Sequence, residues 1–555
     1  MLATYTHPGI YIQEVPSTRS IQGASTSTPA FVGVTESGPF LQPTLITSWN
    51  AYQRQFGGLA WYAMVSWSVY EFFNEGGTAC YVVRAADTAN AKAASTGKAP
   101  SLVVNAVSPG TWGNVLNLMI SNGSATDPTV TPAPTTPVFN VSILVDASVI
   151  GTASAPVKTT MPNQLLQEYV LQNNLSPQTF NSKSYYVLEQ FNGFTANSMT
   201  NAAGQPSALA AKLNSNSMFV RVPTNATASA TPAARPPNSG PTPFTGGTAP
   251  NIDFYTATNL LAKVQELSLL SVPDIVTATD KSGKPSLEQQ GTLINSGLLF
   301  CETMRSLFYV IDPPFGLDVQ GILSFKSGQG TAPSGNPNAL NSDFGAIYYP
   351  WVYIYNPIAG ANVPIPPSGP VLGRYAYTDT NVGVYKSPAG VNDGALMTAV
   401  LLDQSLTDAD QDLLNPEGIN AIRNFINYGN VIWGARTLAL NTEWTYISVR
   451  RLFIYVEQSL KQSLQWVVFE PNDQQLWSSV TRDISAFLTT LWQQGGLFGA
   501  TAAEAFFVTC DASNNPLETR MLGQLYIDIG LAAVYPAEFV IIRMTQKTNA
   551  PDSGG

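Results

Sequence analysis

The stretch WYAMVSWSVYEFFNEGGTACYVVR, residues 61–84, decides the fold class. Val65, Val69, Phe72 and Phe73 recur near helical spacing, so Trp61–Phe73 reads as a helix with one apolar face. Asn74-Glu75-Gly76-Gly77 stops it, because two glycines in succession end a helical pattern. Cys80–Arg84, dominated by β-formers, reads as a strand. Upstream, Ala30–Val34 is a second short apolar strand. Strand, helix and strand in succession predict an α/β layer.

The pattern resumes far downstream. Leu260–Leu270 reads as helical, Pro273–Val276 as a strand end and Leu287–Thr303 as a helix. Ser306–Ile311 reads as a strand closed by Asp312-Pro313-Pro314, and Trp351–Tyr355 as another. Ala361–Gly390, rich in Pro and Gly, is expected to be a structured loop. Asn415 as N-cap, Pro416 at the first helical position and Gly429 as a stop predict a helix with Ile419, Ile422, Phe425 and Ile426 on its buried face. Strands are expected at Val431–Leu438 and Glu443–Val449, and a helix at Arg450–Leu464. Asp473–Gln494 keeps the clearest helical period, through Leu476, Trp477, Val480, Ile484, Phe487, Leu488 and Leu491. Three strands follow at Ala505–Cys510, Gln524–Val534 and Phe539–Thr545, and Lys547–Gly555 reads as a disordered tail.

Two regions stand outside this pattern. Gly9–Val15, between Pro8 and Pro16, is a lone strand followed by the polar run STRSIQGASTSTP (residues 17–29). It cannot bury itself and needs a sheet elsewhere. From about Thr88 to Asn251 the chain turns rich in Ala, Thr, Ser, Asn and Pro and nearly uncharged. Asp127–Pro137 and Thr224–Pro250 read as loops, while Lys98–Val107 and Phe139–Val145 read as strands. This is an inserted β-rich domain. The expected organisation is therefore mixed α/β (α+β) and multi-domain. It comprises a strand arm and linker at 1–28, a discontinuous middle domain at 29–88 plus 252–405, and an inserted outer β-rich domain at 89–251. A C-terminal domain at 406–535 and a terminal strand with tail at 536–555 complete it.

Composition narrows the function. At 555 residues and 44% hydrophobic, the chain can build a large core. Only 11% of residues are charged, against a usual quarter, and the net charge is −10. General nucleic-acid binding is disfavoured, since phosphate neutralisation needs clustered Lys and Arg. The single histidine, His7, excludes any site needing two imidazoles. Cys80, Cys301 and Cys510 form no CxxC pair and read as buried thiols of a reducing compartment. No signal-peptide pattern opens the chain, which predicts cytoplasmic synthesis. The nearest membrane-like run, Leu531–Ile542, is broken by Pro536 and Glu538.

Signals for chemistry are weak. Asp408-Ala-Asp410-Gln-Asp412 imitates a calcium loop, but Leu413 stands where Gly is needed and Ile419 where the bidentate Glu is needed. Glu71 and Glu75 sit one turn apart and read as surface acids. Gly328–Gly335 has neither dinucleotide-loop nor P-loop spacing. The insertion holds few acids, Asp127, Asp146, Glu168 and Glu189, which weakens the alternative of a carbohydrate-active enzyme there. Arg450 and Arg451, with Arg423, Arg436 and Lys461, form a basic patch read either as internal salt bridges or as a contact with an acidic partner. No catalytic residue, cofactor or metal site is expected.

With these motifs laid out, the chain resembles the contractile tail sheath family of phage tails and contractile injection systems. The resemblance is carried by HPGIYIQEV (7–15), AFVGV (30–34), FFNEGG (72–77), YVVR (81–84), VPDIV (272–276), Arg305–Pro314, YYPW (348–351), PPSG (366–369) and KSPA (386–389). LNPEGIN (414–420), VIWGART (431–437), Arg450-Arg451, WVVFEPN (466–472), AFFV (505–508) and PAEF (536–539) follow in the family's order. The resemblance implies a non-enzymatic structural subunit that stacks in rings around an inner tube, meets baseplate and terminator proteins, and contracts. Gly9, Ile10, Tyr11, Ile12, Gln13, Glu14 and Val15 would then be one inter-subunit strand. Phe539, Val540, Ile541, Ile542 and Arg543 would be the other. Arg450, Arg451, Lys461 and Arg482 are candidates to face the tube. The implied location is a virion tail or a phage-like particle, with no nucleic acid or membrane as direct partner. Another structural tail component, of tube or baseplate, is the alternative.

Overall fold

The computed structural model describes residues 20–60, 62–86, 92–96, 102–123, 138–150, 166, 169–170, 173–195, 198, 207–223, 236–248, 251–279, 285–328, 339–357 and 360–543. The strand expected at Gly9–Val15, His7, the Gly-rich segment after Gly328 and the tail from Lys547 lie outside these residues. By internal packing the chain divides into two units. One holds residues up to Ala24, Val384–Lys386 and Arg451 onward; the other holds Ser25–Gly383 and Ser387–Arg450.

The larger unit is built on an eight-stranded sheet. Its strands are β1 (Pro29–Gly33), β2 (Thr44–Ile46), β3 (Cys80–Arg84), β11 (Leu269–Ser271), β12 (Phe308–Ile311), β13 (Gly345–Tyr349), β17 (Ile419–Phe425) and β18 (Gly429–Ile432). The order across the sheet is β18-β17-β13-β12-β11-β1-β3-β2. The six inner strands run parallel, and β2 and β18 close the two edges antiparallel. Parallel strands covered on both faces need unbroken apolar runs. Accordingly every residue of β1, β12 and β13 is buried.

That rule overturns one expectation. Residues 419–425 are not helical but form β17. Ile419, Asn420, Ala421 and Ile422 are buried in succession, as a strand with two covered faces requires and a one-faced helix does not. Gly418 (φ 70°) turns the chain into β17, and Gly429 (φ 72°) turns it into β18.

Helices lie against the sheet. α1 (Trp49–Phe56), not anticipated from sequence, is capped by Ser48; α2 (Met64–Asn74) and α3 (Leu287–Met304) match expectation within a few residues. α4 (Ser368–Asn381) replaces the loop expected at Ala361–Gly390. Its glycines allow close approach to α2: a Cβ on Gly369 would stand 2.5 Å from Ser68 Cα, and one on Gly373 would stand 2.8 Å from Phe72 O. Residues 260–270 are also reassigned. The helix is earlier, at Phe254–Asn259 and the 3-10 turn Leu260–Lys263, and the end of the stretch is β11. Pro273–Thr277 is a 3-10 turn, not a strand end. Its Asp274 accepts from the backbone N–H groups of Val34 (2.8 Å), Met64 (2.5 Å) and Val65 (3.2 Å), joining the end of β1 to the start of α2.

Between β3 and β11 the chain builds a separate antiparallel sheet. Its strands are β5 (Leu116–Asn122), β6 (Phe139–Asp146), β7 (Gln178–Phe180), β8 (Lys183–Phe194) and β10 (Ser239–Pro243), in the order β10-β5-β6-β8-β7. β10 lies in a stretch expected to be all loop. β4 (Asn105–Ala106) pairs with β9 (Val220–Arg221), and Trp112, Phe139, Phe219 and Phe244 belong to one local core. A third sheet is β15-β14-β16, from β14 (Val352–Asn356), β15 (Ala361–Ile365) and β16 (Ala399–Leu402). The acidic run at 408–412 opens helix α5 (Asp408–Leu414), where Thr407 and Asp410 make a capping box.

Past β18, the strand expected at Glu443–Val449 is mostly the approach to α6 (Ile447–Ser463). In the smaller unit α7 (Gln474–Gln493) is capped by Asp473 at its N-terminus. β19 (Phe506–Thr509) pairs antiparallel with β20 (Asp528–Leu531). Residues 539–543 take no strand in this chain. Among the described residues no helix is long and apolar enough to cross a membrane.

Candidate functional site

The motifs singled out in the sequence converge in pairs inside the larger unit. Asp312, after β12, accepts from Ser368 N (2.7 Å) and Ser368 Oγ (2.6 Å), fixing the start of α4. Asn420 on β17 donates to Ile347 O (3.1 Å) and Arg436 O (2.8 Å) and accepts from Arg436 N (2.7 Å). It thereby ties LNPEGIN to VIWGART. A Cβ on Gly434 would stand 2.8 Å from Asn420 Cα. These contacts are architectural: they use up polar groups in fixing the scaffold.

Two groups of candidate residues change meaning. Glu71 and Glu75 are not surface acids. Both are buried on α2, and both meet Thr398. Burial pushes the Glu71 carboxyl up to about 7, against lowering by its bonds to Thr398 and Asn74. Glu75 is raised as well, again by burial. Arg450 and Arg451, candidates to face a tube, are both buried within the chain. Arg450 pairs with Asp343 at 3.0 Å and lies over the Trp444 ring at 3.8 Å. Arg423 pairs with Asp408 at 2.7 Å. Arg450 and Arg423 are thus paired within the chain. Lys461 is exposed, and Arg482 is exposed beside its ion-pair partner Asp483 at 3.1 Å.

The smaller unit carries the surfaces that look unfinished. β19 and β20 form a two-stranded ribbon, with no further strand on either edge among the described residues. Such a ribbon is marginal alone and leaves rows of ladder groups available to another chain. Beyond it runs Phe539-Val540-Ile541-Ile542, each 71–79% exposed. Four consecutive apolar side chains in water mark an interaction segment. In the same unit, Ser20–Ala24 lies along α6. Gln22 N donates to Ser463 Oγ (3.1 Å), and Ala24 N donates to Ser459 Oγ (2.9 Å). A cavity of about 350 Å³ adjoins it, lined by Ile21, Tyr455, Asp483 and Phe487 among others. Sequence reasoning missed this site, because two serines in an amphipathic helix carry no local signal. The three cysteines are buried and unpaired, and among the described residues no His/Cys/Asp/Glu group could hold a metal.

Residues 309–438 match the phage tail sheath protein central domain, and residues 440–547 match the phage tail sheath C-terminal domain. The tail sheath protein of Vibrio phage KVP40 is 29% identical over 238 residues, which cover 42% of this chain and 34% of that one. The tail sheath protein of Enterobacteria phage T4 is 26% identical over 219 residues, covering 39% and 32%. That of Burkholderia phage BcepMu is 28% identical over 246 residues, covering 43% and 48%. The matched stretch thus spans about a third to a half of these relatives. Among solved structures, the contracted sheath complex of the extracellular contractile injection system PVC has a TM-score of 0.53 at 23% identity, covering 98% of this chain and 99% of that one. The sheath tail protein of Desulfitobacterium hafniense has a TM-score of 0.55 at 11% identity, covering 91% and 94%. At these identities the likeness is one of fold.

Proposed function

We propose, from the premise that this chain belongs to the phage tail sheath family through its central and C-terminal domains, that it is the structural subunit of a contractile sheath. Subunits join head to tail into a helical lattice around an inner tube. They are held by strands added to the β19–β20 ribbon of a neighbour. Residues 9–15 and 539–543 are the donors. Main-chain ladder bonds tolerate varied sequence, so the same connections persist while subunits repack. Contraction is the passage from a metastable extended lattice to a shorter one, driven by the difference between two packings. No catalytic step is needed. Baseplate and terminator proteins bound the lattice, and the insertion at 89–251 lies on its outer side. Assembly follows cytoplasmic synthesis, and the product is a virion tail or a phage-like particle. The single observation that carries this reading is the open-edged β19–β20 ribbon in the same unit as the exposed run Phe539–Ile542.

The test is electron microscopy of the purified full chain, a variant lacking residues 1–20, and the pair substitution Val540→Asp with Ile542→Asp. Hollow tubes are expected from the full chain, with or without an added tube protein as template, and none from either variant. Tubes from both variants would overturn the strand-donor assignment. Only discrete particles from all three, template included, would overturn the sheath reading itself.

A further inference from the structure

We propose that Ser20–Ala24 is a fixed anchor that binds the root of the N-terminal arm to its own subunit, with the row Tyr455, Ser459 and Ser463 of α6 as its receptor. The polar run up to Pro29 is then not free along its whole length, because its first described residues are held to α6. This deepens the sheath reading, which supplies the arm's purpose; the anchoring itself depends only on the smaller unit.

The argument is one of matched repeats. Ser459 and Ser463 are four residues apart on a helix, a rise of about 6 Å. Gln22 and Ala24 are two residues apart in extended chain, about 6.6–6.8 Å. Two successive same-side N–H groups of an extended segment therefore meet two successive hydroxyls of one helical row, at 3.1 and 2.9 Å. The helix acts as a short sheet edge, with side-chain oxygens in place of carbonyls. Ser459 can accept because its own proton goes to Tyr455 O at 2.7 Å. The segment runs antiparallel to α6, since the later arm residue meets the earlier helix residue. α6 itself ends at Ser463, so the row has no further helical step beyond it. The two repeats also drift apart by more than half an ångström per step. Both facts limit the anchor to a few residues ending at Ser20.

Gly23 shows how closely the segment is held. A Cβ there would stand 2.4 Å from Tyr455 Oη. Tyr455 is itself braced by Phe487 of α7, with ring centroids 5.9 Å apart. A bulky side chain at position 23 therefore has to displace either the Tyr455 ring or the root itself.

Trypsin tests this on the full, unassembled chain. Arg19 is the first Lys or Arg of the sequence, so cleavage there removes residues 1–19 and is read by mass spectrometry. A protease needs several extended residues on both sides of the bond, and Gln22 and Ala24 are bound. Cleavage after Arg19 is expected to be slow in the native chain. It should rise at least tenfold in Ser459→Ala/Ser463→Ala and in Gly23→Val. The second variant changes the arm and leaves α6 intact, so it stands even where the first perturbs the helix. Thermal midpoints identify global unfolding. Equal cleavage rates in the native chain and Gly23→Val would overturn the anchor. That outcome leaves tube formation by the full chain untouched, so failure here is distinct from failure of the sheath reading.

Discussion

Glu71 and Glu75, one turn apart on α2, share a single hydroxyl, that of Thr398. Thr398 has one hydroxyl proton and stands between two carboxyl groups. Both contacts are satisfied only when one glutamate is protonated. Thr398 N also donates to Glu75 (2.8 Å), and Arg374 of α4 favours the charged form there. Glu71 is therefore the protonated member. It donates to Thr398 Oγ1, which donates to Glu75, while Asn74 donates to Glu71 at 3.1 Å.

This gives a pH dependence with a defined sign. Glu71 is held at about 7 in the fold, above its ordinary 4.5. Between those values the folded chain binds more protons than the unfolded one. This contribution to stability is fully present below about 4.5 and is lost as pH rises to about 7. The gap corresponds to on the order of 3 kcal/mol. Glu71→Gln keeps a donor toward Thr398, so its denaturation midpoint relative to the native chain should rise across this window and level off above it. Urea titrations of both proteins from pH 4 to 8 read the difference. A constant difference would show that the proton is not on Glu71.

Gly33 is fixed by Asp274. A Cβ at Gly33 would stand 2.1 Å from Asp274 Oδ2 and 2.9 Å from Val65 Cβ. Gly33→Ala should displace the carboxylate from the N–H groups of Val34, Met64 and Val65, leaving them unsatisfied in the core. The expected loss is at least about 2 kcal/mol in urea unfolding. A loss below about 0.5 kcal/mol would mean that the β1–α2 junction adjusts freely.

Phe469 carries an unusual combination. Its backbone is left-handed (φ 72°) and its side chain fully exposed, next to Val468 at 63% exposure. A bulky residue in that conformation is strained by about 1–2 kcal/mol and gains no burial in return within this chain. Phe469→Gly should leave the unfolding midpoint of the isolated chain unchanged or raised. It should weaken tube formation at least tenfold in critical concentration, if Phe469 packs against a neighbouring subunit. Unaltered assembly would remove that contact.

Legibility in the sequence followed the range of the forces involved. α2, α3 and α7 were readable because a one-faced helix writes its period locally. β17 was not. Ile419, Ile422, Phe425 and Ile426 fit a helical face as well, and only pairing to β13 and β18 decides between the two. α4 was hidden by Gly369, Pro370 and Gly373, whose small size serves the contact with α2 and not the helix itself. The burial of Glu71 and Glu75 depends on Thr398, more than 300 positions away, and leaves no mark near α2. The arm root is similar, since its receptor serines lie over 430 positions downstream. The strand expected at Phe539–Thr545 is not formed over 539–543, since a run of apolar residues becomes a strand only where an edge pairs with it, and none of the described strands does.

β1 lies between β3 and β11, yet Gly33 and Leu269 are separated by the whole antiparallel sheet. During synthesis at about 5–20 residues per second, β1 waits roughly 10–50 s for the strand that covers its second edge. Asp274, which seals the β1–α2 junction, emerges in the same late segment. For that interval the nascent chain presents an apolar, half-paired sheet edge. A cell making many copies at once would have to keep those edges apart. The timing of translation and chaperone capture, as much as final stability, then sets the yield of competent subunits.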